Sequence, residues 1–177
     1  MQIIDKSLLN IRQATLDDIH FIAELKIDNP HIGEYSHPMD RMMNELFLRE
    51  YKRRWEKKLN EGMCTLIMSA NGSMVGFINF SACDAAVPDK IAEIDSIYIM
   101  PEMRRHGLGK LLCEAALAKI RNEQIRQAVV WIMDGSDATR QFFQAMGFLA
   151  TSAIRVDKIR ENLTLREIRY QILLEST

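Results

Sequence analysis

The sequence predicts an α+β fold with a mixed, mostly antiparallel central sheet of about six to seven strands flanked by about four helices. Three observations lead there. Apolar residues recur every four positions in the first third of the chain. Short strand-like apolar runs separated by turn residues follow. A helix opened by a glycine-bearing turn then leads into a continuous apolar run, Ala128 to Met133, of the kind found in buried central strands. At 177 residues and 47% hydrophobic content the chain supplies one core of ordinary size, so residues 1–177 are read as a single domain.

Residues Asn10 to Gln13 form the first predicted strand. Thr15, followed by Leu16-Asp17-Asp18, is placed to cap a helix running to about Ile27, with acids in its first turn. Asn29-Pro30 ends that helix, and the loop to Pro38 carries His31, Gly33, Tyr35 and His37. From Asp40 to about Asn60 the stripe Met43, Phe47, Tyr51, Trp55, Leu59 predicts an amphipathic helix, which Asn60-Glu61-Gly62 stops. Cys64 to Met68, Val75 to Phe80 and Ile91 to Ile99 read as three strands, the first two joined by Asn71-Gly72, a favoured hairpin turn. After Gly107, the residues Leu108, Leu111, Leu112, Ala115 and Ala116 mark a helix that feeds the Ala128 strand. A further helix from about Asp137 to Met146 ends at Gly147, and two last strands are read at Ile154 to Val156 and in the alternation Ile168, Tyr170, Ile172, Leu174. No internal repeat or low-complexity tract divides the chain.

Composition narrows the function classes. The 23 basic and 24 acidic residues leave a formal charge of -1, so no overall field draws the protein to nucleic acid or anionic lipid. Arg49, Lys52, Arg53, Arg54, Lys57 and Lys58 cluster, but Glu45, Glu50, Glu56 and Glu61 interleave with them, which describes a solvated helix face. Three cysteines, Cys64, Cys83 and Cys113, form no paired framework and suit reduced thiols in the cytoplasm. The first residues lack the apolar core of a signal peptide, and no apolar run approaches the roughly 18 residues of a membrane span.

The chemistry-bearing segment is Ile97-Tyr98-Ile99-Met100-Pro101-Glu102-Met103-Arg104-Arg105-His106-Gly107-Leu108-Gly109-Lys110. A strand, a basic glycine-bearing loop and a helix start in succession build an anion site. Amides at the helix N-terminus point outward, the helix dipole adds partial positive charge, and Arg104, Arg105 and Lys110 add full charges. A dinucleotide fingerprint needs a third glycine where Leu112 stands, and a P-loop needs Ser or Thr where Leu111 stands.

The segment resembles the acetyl-CoA signature of the GNAT superfamily of N-acetyltransferases, [R/Q]-x-x-G-x-[G/A], here Arg104-Arg105-His106-Gly107-Leu108-Gly109 after a strand and proline. The order of elements over nearly the whole chain is similar as well, down to Phe142-Phe143-x-x-x-Gly147-Phe148 before a terminal hairpin. The resemblance implies acetyl-CoA as acyl-donor co-substrate. It implies that the amides of Arg105, His106, Gly107, Leu108, Gly109 and Lys110 hold the pyrophosphate, with Arg104 also among the cofactor-binding residues, that pantetheine lies beside the backbone of Ile97, Tyr98 and Ile99, and that Ser136 and Phe143 border the cofactor. Neither a metal nor a covalent intermediate is implied: a neutral amine attacks directly in a ternary complex while a backbone amide near Ile99 polarises the thioester carbonyl.

An alkylamine is protonated at neutral pH, so a base must take its proton. The resemblance implies Glu93, which occupies the strand position where histone acetyltransferases carry their glutamate base, and strand alternation puts Asp95 on the same face as a second candidate. Two close, partly buried acids would raise one another's pKa; the bland alternative is that both face solvent or pair with an arginine. The sequence departs from the family at Phe143, where many members carry the tyrosine that protonates the departing thiolate, at Ser136, where an asparagine is common, and at Thr139, where an alanine is. A competing class is therefore an acyl-CoA sensor that keeps the cradle with little or no catalysis. The acceptor, a small-molecule or peptide amine, is not specified by the sequence, and neither is the acyl-chain preference. Homodimers are frequent in the family, and no sequence feature specifies one here. His31 and His37, the Met43 stripe and Cys113 are read as surface and packing residues rather than site residues.

Overall fold

The structure, a computed structural model, describes residues 8–22, 40–83, 91–160 and 163–174. Seven strands follow in chain order: β1 (Leu9–Gln13), β2 (Cys64–Ala70), β3 (Ser73–Cys83), β4 (Ile91–Ile99), β5 (Gln127–Met133), β6 (Leu149–Arg160) and β7 (Leu163–Leu173). Three helices have both ends described: α1 (Asp40–Asn60), α2 (Leu108–Asn122) and α3 (Asp137–Ala145). The predicted helix after Thr15 begins as a 3-10 turn, Leu16–Asp18, and continues as helix at residues 19–22. Its expected remainder, the loop with His31, Gly33, Tyr35 and His37, and the side chains of Met43, Phe47 and Tyr51 lie outside the described residues.

The strands form one mixed sheet in the order β1-β2-β3-β4-β5-β7-β6. β4 and β5 are parallel, as the helical connection α2 between them requires, while the β1–β2, β5–β7 and β6–β7 pairs are antiparallel. The predicted hairpin turn is present: Asn71 and Gly72 have φ of 51° and 78°, both left-handed as a tight two-residue turn demands. β6 is much longer than the three residues read from the sequence.

The chain gathers into two compact units, Met1–Ile78 with Tyr98–Leu112, and Asn79–Ile97 with Cys113–Thr177. In the first, Ile19, Ile22, Trp55, Met63, Ile67, Phe77 and Tyr98 form one buried cluster. Phe77 lies edge-on to Trp55 and stacks on Tyr98. Trp55 thus gives α1 its buried face, while Arg53, Arg54, Lys57 and Lys58 are exposed and the pairs Arg54–Glu50 and Lys57–Glu61 lie along the helix surface. Arg12 grips Asp18 with two hydrogen bonds of 2.7 Å, and the same carboxylate accepts from the Thr15 amide at 2.8 Å. Those bonds hold the Asp18 carboxyl down at about 2, below its ordinary 3.8, with the Arg12 hydrogen bond the largest cause.

In the second unit, register sorts the residues by face. Ala128, Val130 and Ile132 of β5 are buried and stand opposite Ile172, Tyr170 and Ile168 of β7. Ala92 and Ile94 of β4 continue that face. The other face carries Glu93, Trp131, Arg169, Glu167 and, through the Arg155–Glu167 pairing, Arg155. A half-buried polar patch therefore lies on a sheet whose reverse side is core.

Two predictions follow from this packing. At Gly76 of β3 the backbone of β4 comes close: a Cβ there would lie 2.4 Å from the Tyr98 carbonyl oxygen and 2.6 Å from Ile99 Cδ1. Because the obstructing atom is backbone, Gly76→Ala should destabilise the protein by about 2 kcal/mol or more in urea titration, the upper part of the usual range for overpacking. Asp18 provides the pH dependence. Its folded pKa is depressed, so its contribution is fully present above about pH 4 and disappears as pH falls towards 2. Asp18→Asn should therefore be less stable than wild type by about 1–2 kcal/mol at pH 7, a figure discounted because Arg12 is half exposed, with the gap closing in urea titrations near pH 2.5.

Candidate active site

The turn from β4 into α2 is built from the predicted signature. After Ile99, Pro101 starts a single 3-10 turn, Pro101–Met103. Arg104 then folds back: its Nε donates to the Ile99 carbonyl at 2.9 Å and its guanidinium carbon lies 5.6 Å from the Tyr98 ring centroid. His106 Nδ1 lies 2.7 Å from the Arg104 carbonyl oxygen, so that nitrogen carries the proton in the bond. Arg105 and Gly107 have φ of 65° and 81°. A left-handed arginine is strained by about 1–2 kcal/mol, and successive amides turned by left-handed residues form the concave nests that receive anions. Nothing lies within 4 Å of the position a Cβ would take at Gly107, leaving its backbone open to close approach. The first turn of α2 closes with the Leu111 amide donating to the Gly107 carbonyl at 3.2 Å, so the Gly107, Leu108 and Gly109 amides precede the helical ladder. Leu108 is buried as the anchor of the turn, while Arg105 and Lys110 are exposed.

The acids of β4 belong to the second unit. Glu93 is half-buried and Asp95 exposed. Arg155 Nη1 stands 4.0 Å from Glu93 Oε1, while Asp95 Oδ2 accepts from the side-chain amide of Asn79 at 3.2 Å. Asn79 is 1% exposed, and its carbonyl oxygen accepts from the Ser96 hydroxyl. Among the described residues, the pairing of β4 with β5 runs from Ile91↔Gln127 to Ile94↔Val130, although both strands continue. The backbone of Asp95 to Ile97 therefore leaves the β5 ladder just beyond Glu93.

Ser136 stands immediately before α3, where its amide donates to the Met133 carbonyl at 3.0 Å and its hydroxyl makes no capping bond. Phe143 is 1% exposed, with ring centroids of Phe142 and Phe148 5.1 and 5.2 Å away, both edge-on. Thr139 is exposed. Among the described residues no three His, Cys, Asp or Glu side chains gather as a metal would need.

Sequence reading missed Asn79, Trp131, Arg155 and Glu167. A lone amide inside the apolar run Val75 to Phe80 was a signal for Asn79. Arg155 and Glu167 had none, because only the register of the last two strands brings them opposite each other.

A sequence model of the Acetyltransferase (GNAT) family matches residues 24–148, more than two thirds of the chain. An uncharacterized N-acetyltransferase, YuaI of Bacillus subtilis, is 24% identical over 139 residues, 78% of this chain and 79% of that protein. Among solved structures, yncA of Salmonella typhimurium, solved with its cofactor acetyl-CoA, superposes with a TM-score of 0.70 at 20% identity, over 96% of both chains. The PaiA N-acetyltransferase of Thermoplasma acidophilum, in complex with coenzyme A, gives 0.66 at 18% identity, over 92% of this chain and 97% of that one. At such identities the structural likeness is one of fold.

Cys113 lies on α2 shortly after the signature. It is fully buried, and burial pushes its thiol up to about 12. Peptide mapping after N-ethylmaleimide treatment at pH 8 should therefore find Cys113 unmodified in the native protein and modified once urea is added.

Proposed function

Because this chain belongs to the GNAT acetyltransferase family, we propose that it is an N-acetyltransferase that moves the acetyl group of acetyl-CoA to a primary amine on a small molecule or peptide. The observation that carries the proposal is the turn before α2, where left-handed Arg105 and Gly107 present backbone amides ahead of the helix with open space over Gly107. Those features fit a pyrophosphate, which oriented amides and a helix N-terminus hold together. Arg105 and Lys110 supply exposed charge beside it, while Arg104 sets the loop. The backbone of Ile97, Tyr98 and Ile99 would carry the pantetheine arm, with Ser136 and Phe143 bordering the cofactor. Bound acetyl-CoA supplies a thioester activated for acyl transfer.

In the proposed reaction the amine nitrogen forms its bond to the acetyl carbon as the carbon–sulfur bond breaks, and the electron pair leaves on sulfur. Glu93 takes the proton shed by the nitrogen, directly or through water, and Asp95 is the second candidate for that role. The half-buried position of Glu93, one residue before β4 makes its last pair with β5, supports the first choice. The chain passes between the two units within β3, β4 and α2, which supports one catalytic domain over residues 1–177. No described helix is long and apolar enough to cross a membrane. The odd number of cysteines without paired spacing in the sequence and the buried thiol of Cys113 favour the cytoplasm. A second reading, an acyl-CoA sensor with little catalysis, is favoured by one feature, the absence of a hydroxyl at Phe143.

Calorimetry with acetyl-CoA, followed by CoA release over a panel of amines, tests both readings. Binding should fall at least tenfold in the Arg104→Ala, Arg105→Ala double variant, and amine-dependent CoA release should fall about 100-fold in Glu93→Gln with acetyl-CoA binding unchanged. Binding without turnover across the panel favours the sensor, and folded wild type that binds no acyl-CoA sinks the cradle assignment.

A further inference from the structure

The outer strand of the terminal hairpin sends one side chain far across the sheet. Arg155 belongs to β6 and Glu93 to β4, and the order β4-β5-β7-β6 puts two strands between them. Three strand spacings amount to about 14 Å. Arg155 Nη1 nevertheless stands 4.0 Å from Glu93 Oε1. On the way, its Nε and Nη2 meet Glu167 Oε2 at 2.7 and 2.6 Å, and its guanidinium carbon lies 4.8 Å from the Trp131 ring centroid. Glu167 stands directly opposite Arg155 in the β6–β7 register, and Trp131 lies on the β5 strand that pairs with the Glu93 segment. The guanidinium is therefore fixed by Glu167 and Trp131 and offered to Glu93.

Energetics support a device rather than an incidental surface pair. Extending and ordering an arginine side chain costs rotamer freedom, and a single exposed ion pair returns only part of that cost. The long reach persists because three partners share one planar group whose fork suits a carboxylate and whose face suits an indole. Glu93 thereby gains a cationic neighbour from a strand that plays no part in its own backbone pairing.

We propose that Arg155, anchored on Glu167 and Trp131, is a positioning residue that orients the Glu93 carboxylate for the acceptor amine. This inference rests on the reading of Glu93 as the base. The test is a double-mutant cycle in the full chain with Arg155→Met, Arg155→Lys, Glu93→Gln and the Glu93→Gln, Arg155→Met double variant. CoA release is followed with the amine that the panel turns over fastest, and acetyl-CoA affinity and Tm are measured on each protein. Arg155→Met should lower kcat about tenfold with acetyl-CoA affinity unchanged, Arg155→Lys should recover part of the loss, and the double variant should match Glu93→Gln within about twofold, because a positioning effect vanishes with the group it positions. A full tenfold further loss in the Glu93→Gln background, or a loss seen only in Tm, overturns the positioning role while leaving Glu93 as base. Wild-type kcat in Glu93→Gln overturns the base reading, and the inference falls with it.

Discussion

The turn before α2 is tied to the aromatic core through one guanidinium. Arg104 reaches back over the turn it begins, capping the Ile99 carbonyl and lying over Tyr98, whose ring stacks on Phe77, which in turn meets Trp55 edge-on. A continuous line of contacts thus runs from the aromatic core to the first residue of an exposed loop. Loops with left-handed non-glycine residues persist only when their surroundings over-determine them, and Arg105 is such a residue. The Arg104 bond at one end, the His106 bond to the Arg104 carbonyl in the middle and the buried Leu108 at the helix start supply that determination. The first arginine of the signature is in this light a structural residue as much as an electrostatic one, with Arg105 and Lys110 left to present charge.

The two acids of β4 are held by different means. Asp95 is oriented by a neutral amide: because the Ser96 hydroxyl donates to the carbonyl oxygen of Asn79, the nitrogen end of that amide must face the carboxylate. At 1% exposure Asn79 would carry a penalty of about 1–3 kcal/mol if these partners were lost, so the arrangement is tightly specified. Glu93 is instead faced by a cation delivered from the far edge of the sheet. The bland reading of an acid beside an arginine holds for Glu93 in a literal sense, yet the span of Arg155 links that acid to the terminal hairpin of β6 and β7.

Much of the fold was legible because its signals are local. The span Asp40–Asn60 followed from a four-residue apolar repeat and a glycine stop, and Ile91–Ile99 from its recurring β-branched and aromatic residues Ile91, Ile94, Ile97, Tyr98 and Ile99. The β2–β3 turn needed only Asn71-Gly72. β6 was read too short for a physical reason: as an outer strand it exposes Leu149, Ile154 and Val156, and its register shifts between Ala150 and Ile154, so no steady alternation survives. The cradle was readable because it is contiguous in sequence. The Arg12–Asp18 clamp and the Glu93–Arg155–Glu167–Trp131 assembly were not, since each depends on strand order and register that no local window contains.

Phe143 sharpens what the chemistry asks of the acids. Its ring is enclosed edge-on by Phe142 and Phe148, an apolar setting in which a phenolic hydroxyl would need a partner of its own. In the proposed transfer, then, the sulfur departs as thiolate. With a thiol pKa near 8.5 that disadvantage at neutral pH is roughly 2 kcal/mol. An alkylammonium with a pKa of about 10.4 must give up its proton before it can attack, a disadvantage of roughly 4–5 kcal/mol at the same pH. The larger demand lies on the amine side. In the proposed reaction a chain that leaves the thiolate unprotonated still has to remove the proton of the acceptor, so the proposed base, Glu93, would bear more on turnover than the missing hydroxyl at position 143.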